Sequence, residues 1–201
     1  MMKKESPNLV EILPELPISQ RRILLHICCG PCSCAPLERL RYSKWEVTGY
    51  WNNPNIEPPA EYARRLESMK TAANYFGVPV IADTDIDTIG WDSARRGSGT
   101  SMEFPTRCIG CYTWRLDKAA ATARENDFTY FSTTLLYSKY QNHEMIRSAG
   151  YAAMHKYNVQ FLDIPFMTGW GRGIRLSKKI GLYRQKYCGC ILSQQQTTAV
   201  L

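Results

Sequence analysis

The chain lacks any apolar run long enough to span a bilayer, which excludes a membrane-crossing helix. No secretory leader is expected either. The opening stretch MMKKESPNLVEILPELPISQ has basic residues, but Glu11, Pro14, Glu15 and Pro17 break its apolar positions. Together these absences point to a cytoplasmic protein with no membrane partner, in a compartment that keeps thiols reduced. Acidic residues are missing from Ile164 to Leu201, where Arg172, Arg175, Lys178, Lys179, Arg184 and Lys186 stand unopposed. A solvated helix face is the plain explanation of such a run; a polyanion such as nucleic acid is the functional one. Histidine is scarce, with three residues, so an imidazole-built site has few candidates. His26 lies inside an apolar run and reads as a hydrogen-bonded core residue, while His143 and His155 read as exposed helix positions. No internal repeat and no linker divides the chain. The 201 residues, 44% hydrophobic, suffice for one core, expected over residues 21–193 between a leader at 1–20 and a frayed polar tail at 194–201.

Cysteine is what the chain does have. Eight are present, grouped as Cys28, Cys29, Cys32 and Cys34, then Cys108 and Cys111, then Cys188 and Cys190. Neighbours as close as Cys28–Cys29 close a disulfide only through a strained ring, so bridges would have to run between groups. In a reducing compartment, clustered thiols mean metal or redox work instead. Zinc takes four thiolates, and so does one four-iron cluster. Setting Cys34 aside as a small packing residue leaves seven, three beyond one such site, so either some are bystanders or there are two metal centres.

Hydrophobic patterning gives the frame. Arg22–Cys28 is a continuous apolar run of strand length that feeds a Gly-Pro turn carrying the first cysteines. Further strands are predicted over Trp45–Trp51, Val78–Ala82, Phe128–Thr133 and Val159–Ile164. A helix is predicted from Pro59 to Gly77, with Tyr62, Leu66, Met69, Ala73 and Phe76 inward and Glu61, Arg64, Arg65, Glu67 and Lys70 outward. Others begin near Cys108 and span Asn142–Tyr157, and a basic helix over Ile174–Lys186 delivers the last cysteines. Residues 83–107 read as a long polar loop. Alternating strands and helices imply a doubly wound α/β fold with a mostly parallel sheet, whose sites lie at the carboxyl ends of the strands. Trp51, Trp91, Trp114 and Trp170 read as packing groups, though Trp170 sits in the glycine-rich MTGWGRG stretch beside the basic run.

Four stretches, LLHICCGPC, TRCIGCYTWRL, FSTTLLYSKYQN and LYRQKYCGC, resemble in order the QueH-type epoxyqueuosine reductases, cobalamin-independent enzymes that complete queuosine at the wobble position of certain tRNAs. The resemblance covers Ile23 to Ser193. It implies a fold similar to the adenine-nucleotide α-hydrolases, a four-iron four-sulfur cluster, and an adjacent mononuclear iron that zinc can replace on purification. On that pattern Cys28, Cys29, Cys32, Cys108, Cys111, Cys188 and Cys190 are the metal ligands and Cys34 is not. Asp85, which with Asp87 precedes Trp91 much as a paired-Asp feature does in the family, is the expected non-sulfur ligand. The implied partners are tRNA bearing epoxyqueuosine and an external electron donor. Proton-donor candidates are Tyr112, Tyr187 and Asp85. Arg115 is expected to balance thiolate charge or meet the substrate, and Lys139, Arg172, Lys178, Lys179 and Arg184 to meet tRNA phosphates.

Two other readings share these features. A tRNA sulfur transferase on a similar scaffold needs a phosphate-cradling SGGxDS-like loop after the first strand, and CCGPCSC offers Gly30 as its only glycine there. A zinc-stabilised RNA-binding module needs only four thiolates and a basic face.

Overall fold

The computed structural model describes residues 16–85, 87–97 and 106–198. Five strands, β1 (Arg22–His26), β2 (Glu46–Trp51), β3 (Val80–Ala82), β4 (Tyr130–Thr133) and β5 (Gln160–Phe161), form one sheet in the order β3-β2-β1-β4-β5. Every pairing is parallel, with Leu25 opposite Gly49 on one side of β1 and Ser132 on the other. Ile23, Leu24 and Leu25 are fully buried, as a central strand covered on both faces requires. Helices α1 (Gly30–Tyr42), α2 (Pro59–Phe76) and α6 (Trp170–Lys179) pack together, as do α3 (Thr88–Gly97), α4 (Ile109–Glu125) and α5 (His143–Tyr157). The doubly wound α/β fold is therefore present. No helix among the described residues is long and apolar enough to cross a membrane.

The order of strands reverses between β1 and β4, and open parallel sheets place their sites at that point. Here the carboxyl ends of the two strands are tied together. The Cys28 amide, just past β1, donates to Thr134 Oγ1, just past β4, at 2.9 Å.

Several expectations need correction. The Gly-Pro turn is the start of a helix: Cys29 caps α1 in extended backbone and Pro31 occupies its first turn, where a missing N–H costs nothing. The polar stretch after β3 contains α3, although residues 98–105 lie outside the described residues. The leader's first fifteen residues and the last three of the tail lie outside them too, and the rest of the tail continues a helix, α7 (Ile191–Thr198). The basic helix stops at Lys179, well short of Lys186. Gly181 has φ 75°, and the amides of Gly181 and Leu182 close back on the carbonyls of Lys178 and Ser177, a glycine-dependent helix stop that periodicity does not register. In α2, which ends at Gly77 as expected, the charged face assigned to solvent is in part the buried one: Glu61 and Arg65 are buried and Tyr62 and Leu66 only half so.

Candidate metal centre

The first cysteine group is built by the passage from β1 into α1. Cys29 is the N-cap and Cys32 stands one turn into the helix, so the chain folds their thiols back towards Cys28. The three sulfurs lie within 4.8 Å of one another, those of Cys28 and Cys29 at 4.0 Å. The amino end of a 13-residue helix favours negative charge beside it. Hydrogen bonding with Cys29 and Cys32 holds the Cys28 thiol well below the usual thiol range, against burial, and Arg115 and the Thr134 hydroxyl help. Thr134 Oγ1 is 3.2 Å from the Cys28 sulfur. Burial, then the bond to Cys28, pushes Cys29 up; bonds to both neighbours, then burial, push Cys32 up. The trio thus carries one negative charge readily and resists more unless a cation enters.

The second pair flanks the start of α4. Burial lifts Cys108 to about 11 and Cys111 to about 12, and the charges of Cys188 and Cys190 raise Cys108 further. One turn on, Arg115 is 1% exposed. Its guanidinium donates to Asn53 Oδ1 at 2.6 Å and approaches the Cys111 sulfur at 3.9 Å. Burial works against its charge, but the thiols of Cys111, Cys28 and Cys188 outweigh burial and hold it protonated.

The third pair rides on the irregular, bent segment after α6, and α2 grips that segment. Buried Arg65 donates to the carbonyls of Cys188 (2.8 Å) and Tyr187 (3.1 Å) while paired with Glu61 at 2.7 Å. Glu61 also accepts from the Tyr183 hydroxyl at 2.7 Å, and Ser68 donates to the Tyr183 carbonyl at 3.2 Å. The Glu57 amide donates to the Gly189 carbonyl at 2.8 Å. Gly189, at φ 138°, leaves no room for a side chain: a Cβ would lie 2.9 Å from Asn55 Nδ2 and 3.2 Å from an Arg65 nitrogen. Gly189→Ala is therefore expected to cost about 1–3 kcal/mol of stability. A melting temperature equal to wild type would show that the segment shifts freely to admit the methyl.

Members of all three groups, Cys28, Cys29, Cys32, Cys108, Cys188 and Cys190, line one cavity of about 750 Å³, while half-buried Cys111 stands outside its lining. Its described lining also includes Arg107, Arg184 and Lys186 and no carboxylate. Two glutamines reach sulfur: Gln141 Nε2 is 3.4 Å from Cys188, and Gln185 Nε2 is 2.7 Å from Cys29 and 3.9 Å from Cys32. Gln185 Oε1 is buried without a partner among the described residues. All eight cysteines are free thiols. An all-sulfur donor set facing a space rimmed by cations fits a soft metal or an iron–sulfur cluster.

The other sequence-predicted residues scatter. Tyr112 is 1% exposed, and its hydroxyl donates to Gln141 Oε1 at 2.8 Å. Tyr187 lines the cavity, but its hydroxyl is engaged by the Glu57 carbonyl and Arg65 sits 4.9 Å above its ring. Asp85 is exposed and outside the cavity lining, and Asp87 accepts from the Gly90 amide at the start of α3. Arg184 lines the cavity. Lys178 and Lys179 are exposed on α6 outside that lining, and Arg172 forms a two-pronged pair with Glu38 at 2.6 and 2.8 Å. Lys139 lies over the rings of Tyr140 and Trp170, which do line it. Cys34 is buried on α1, 3.6 Å from the Gly30 carbonyl, and burial raises it to about 12, as suits a packing residue. Arg65 and Asn53 lie outside every motif; Thr134 and Gln141 lie within FSTTLLYSKYQN and Gln185 within LYRQKYCGC, but those motifs gave none of the three a role.

A family model described as epoxyqueuosine reductase QueH matches residues 23–196. Proteins named epoxyqueuosine reductase QueH include one from Histophilus somni, 37% identical over 186 residues that cover 91% of this chain and 76% of that protein. Another, from Acinetobacter baylyi, is 36% identical over 186 residues, covering 91% and 85%. A third, from Thermotoga maritima, is 35% identical over 175 residues, covering 85% and 89%. The matched stretch contains every cysteine that faces the cavity and nearly all of the α/β frame that brings them there, and the chain belongs to the QueH family of epoxyqueuosine reductases.

Proposed function

We propose that this chain is an oxidoreductase that removes the epoxide oxygen of epoxyqueuosine at the wobble position of tRNA, leaving the alkene of queuosine. The carrying observation is the convergence of three cysteine groups on one cation-rimmed cavity. The reaction breaks two C–O bonds, takes up two electrons and two protons, and releases water. An external electron donor of the cytoplasm must therefore supply two electrons per turnover.

Cys28, Cys29, Cys32, Cys108, Cys111, Cys188 and Cys190 would hold a four-iron four-sulfur cluster and a neighbouring iron, which when bound supply single electrons and a Lewis acid for the epoxide oxygen. Asp85 is left out of this set because it is exposed; Cys111, also outside the cavity lining, stays because Arg115, which lines the cavity, lies 3.9 Å from its sulfur. Arg115 offsets the charge that several thiolates bring into a buried site. Tyr112, with its hydroxyl fixed on Gln141, turns the Gln141 amide towards Cys188. Burial raises Tyr112 and Tyr187 above the usual tyrosine range, so both keep their phenolic protons through neutrality. Arg107, Arg184 and Lys186 at the cavity give the tRNA backbone its positive field.

The test compares cysteines inside and outside the cavity. After anaerobic purification, Cys28→Ser and Cys188→Ser are expected to lose iron and all conversion of epoxyqueuosine-bearing tRNA, scored by nucleoside mass spectrometry. Cys34→Ser should keep both. A colourless wild-type protein with stoichiometric zinc and no conversion would overturn the reading in favour of a zinc-stabilised RNA-binding module.

A further inference from the structure

Beside the thiols the cavity has an aromatic wall that the reaction does not use. Tyr137, Tyr140 and Trp170 all line it. Tyr137 is buried and stacks on Trp170, with centroids 5.1 Å apart and planes at 26°, and its hydroxyl donates to the Trp170 carbonyl at 2.9 Å. One face of the indole is thereby covered and its ring fixed. Tyr140 meets that indole edge-on, at 5.8 Å and 77°, and is 68% exposed. Lys139 places its ammonium 5.1 Å from the Tyr140 centroid and 5.5 Å from that of Trp170.

Such an exposed ring, braced by a fixed indole and topped by a cation, is a poor packing element and a good surface for a flat, electron-rich heterocycle attached to an anion. Position narrows the choice. Tyr140 directly precedes Gln141, whose amide is 3.4 Å from the Cys188 sulfur. Adjacent residues are about 3.8 Å apart along the backbone. Tyr140 and the thiols line the same cavity, so a base lying on Tyr140 would neighbour a ring held at the thiols, and the described lining, with cations and no carboxylate, suits the connecting phosphates.

We propose that Tyr140, braced by Trp170, is a stacking platform for an unpaired anticodon base next to the wobble nucleotide, with Lys139 on the phosphate between them. The proposal rests on the tRNA-reductase reading above and adds a subsite to it. Stacking is tolerant of base identity, so the platform would orient the loop without reading its sequence.

The experiment titrates metal-loaded protein with an anticodon stem–loop oligonucleotide that carries 2-aminopurine on one side of the wobble nucleotide, then on the other. Wild type should quench one of the two probes. Tyr140→Leu should leave it bright and weaken binding about 10-fold, and Tyr140→Trp should restore both. Lys139→Met should lower the slope of log affinity against log salt by about 1. An abasic nucleotide at the same position should weaken binding to wild type by the same factor and cost Tyr140→Leu nothing further, which tests the contact from the RNA side even should the leucine variant fold poorly. If wild type binds the loop and neither probe, nor the abasic change, depends on Tyr140, the platform is wrong while the reductase reading stands. If wild type does not bind the loop at all, both fall.

Discussion

Arg65→Leu is expected to lower the melting temperature by about 10 °C and to leave the protein without most of its metal. The variant strands the Glu61 carboxylate, 6% exposed, with only the Tyr183 hydroxyl, and strips the carbonyls of Tyr187 and Cys188 of their shared donor. Breaking one side of a buried pair typically costs about 3–5 kcal/mol, and for a domain of this size each kcal/mol is worth about 2–4 °C. The metal is lost for a different reason. Cys188 and Cys190 lie on an irregular segment with no ladder of its own, so their positions depend on α2. The paired variant Glu61→Leu with Arg65→Leu separates the two effects: it should regain much of the stability, because no charge is left unpaired, and remain poor in iron. Thermal melts with iron analysis decide it. A single variant with wild-type iron would mean that Gln141 and Glu57 suffice to hold the segment.

Arg115→Met should do the converse, with a fold that survives and a metal that does not stay. Methionine fills much of the arginine's volume, and what is lost is a positive charge close to Cys111 and felt at Cys28 and Cys188. Groups that support metal ligands without touching the metal commonly contribute about 10- to 100-fold in affinity, and iron retention under a chelator challenge is expected to fall by that much. Arg115→Lys should recover only part of it. A lysine keeps the charge but cannot both reach Asn53 Oδ1 and lie against the sulfur, as the planar guanidinium does. Retention equal to wild type in Arg115→Met would show that the cation serves Asn53 and the fold alone.

Arg65 marks the limit of reading the chain by pattern, whereas the place of Arg115 beside the thiols is legible in its spacing from Cys111. Arg65 sits among Arg64, Glu67 and Lys70, and in one dimension all look like a solvated face. It is buried because the segment carrying Cys188 lies against that face, a contact between residues 123 positions apart. The basic helix failed in a similar way: charge and periodicity run on to Lys186, but a glycine in left-handed backbone stops the helix after Lys179. Asp85, favoured by family pattern, is left exposed by the fold and outside the cavity lining.

The linear chain was enough for the parallel α/β class, since a continuous apolar run and alternating helical stretches admit few other packings, and enough for the chemistry, since thiols in tight groups, some too close to bridge one another, point to soft metal. It also placed the first cysteines at the end of the first strand, because local signals set that junction. Which thiols share a cavity, what holds Cys188 beside Cys108, and why a buried arginine is tolerated there were decided by tertiary structure alone. Those outcomes depend on contacts between distant segments, whose free energy comes from shared burial and mutual charge compensation and leaves no trace in the spacing of residues along the chain.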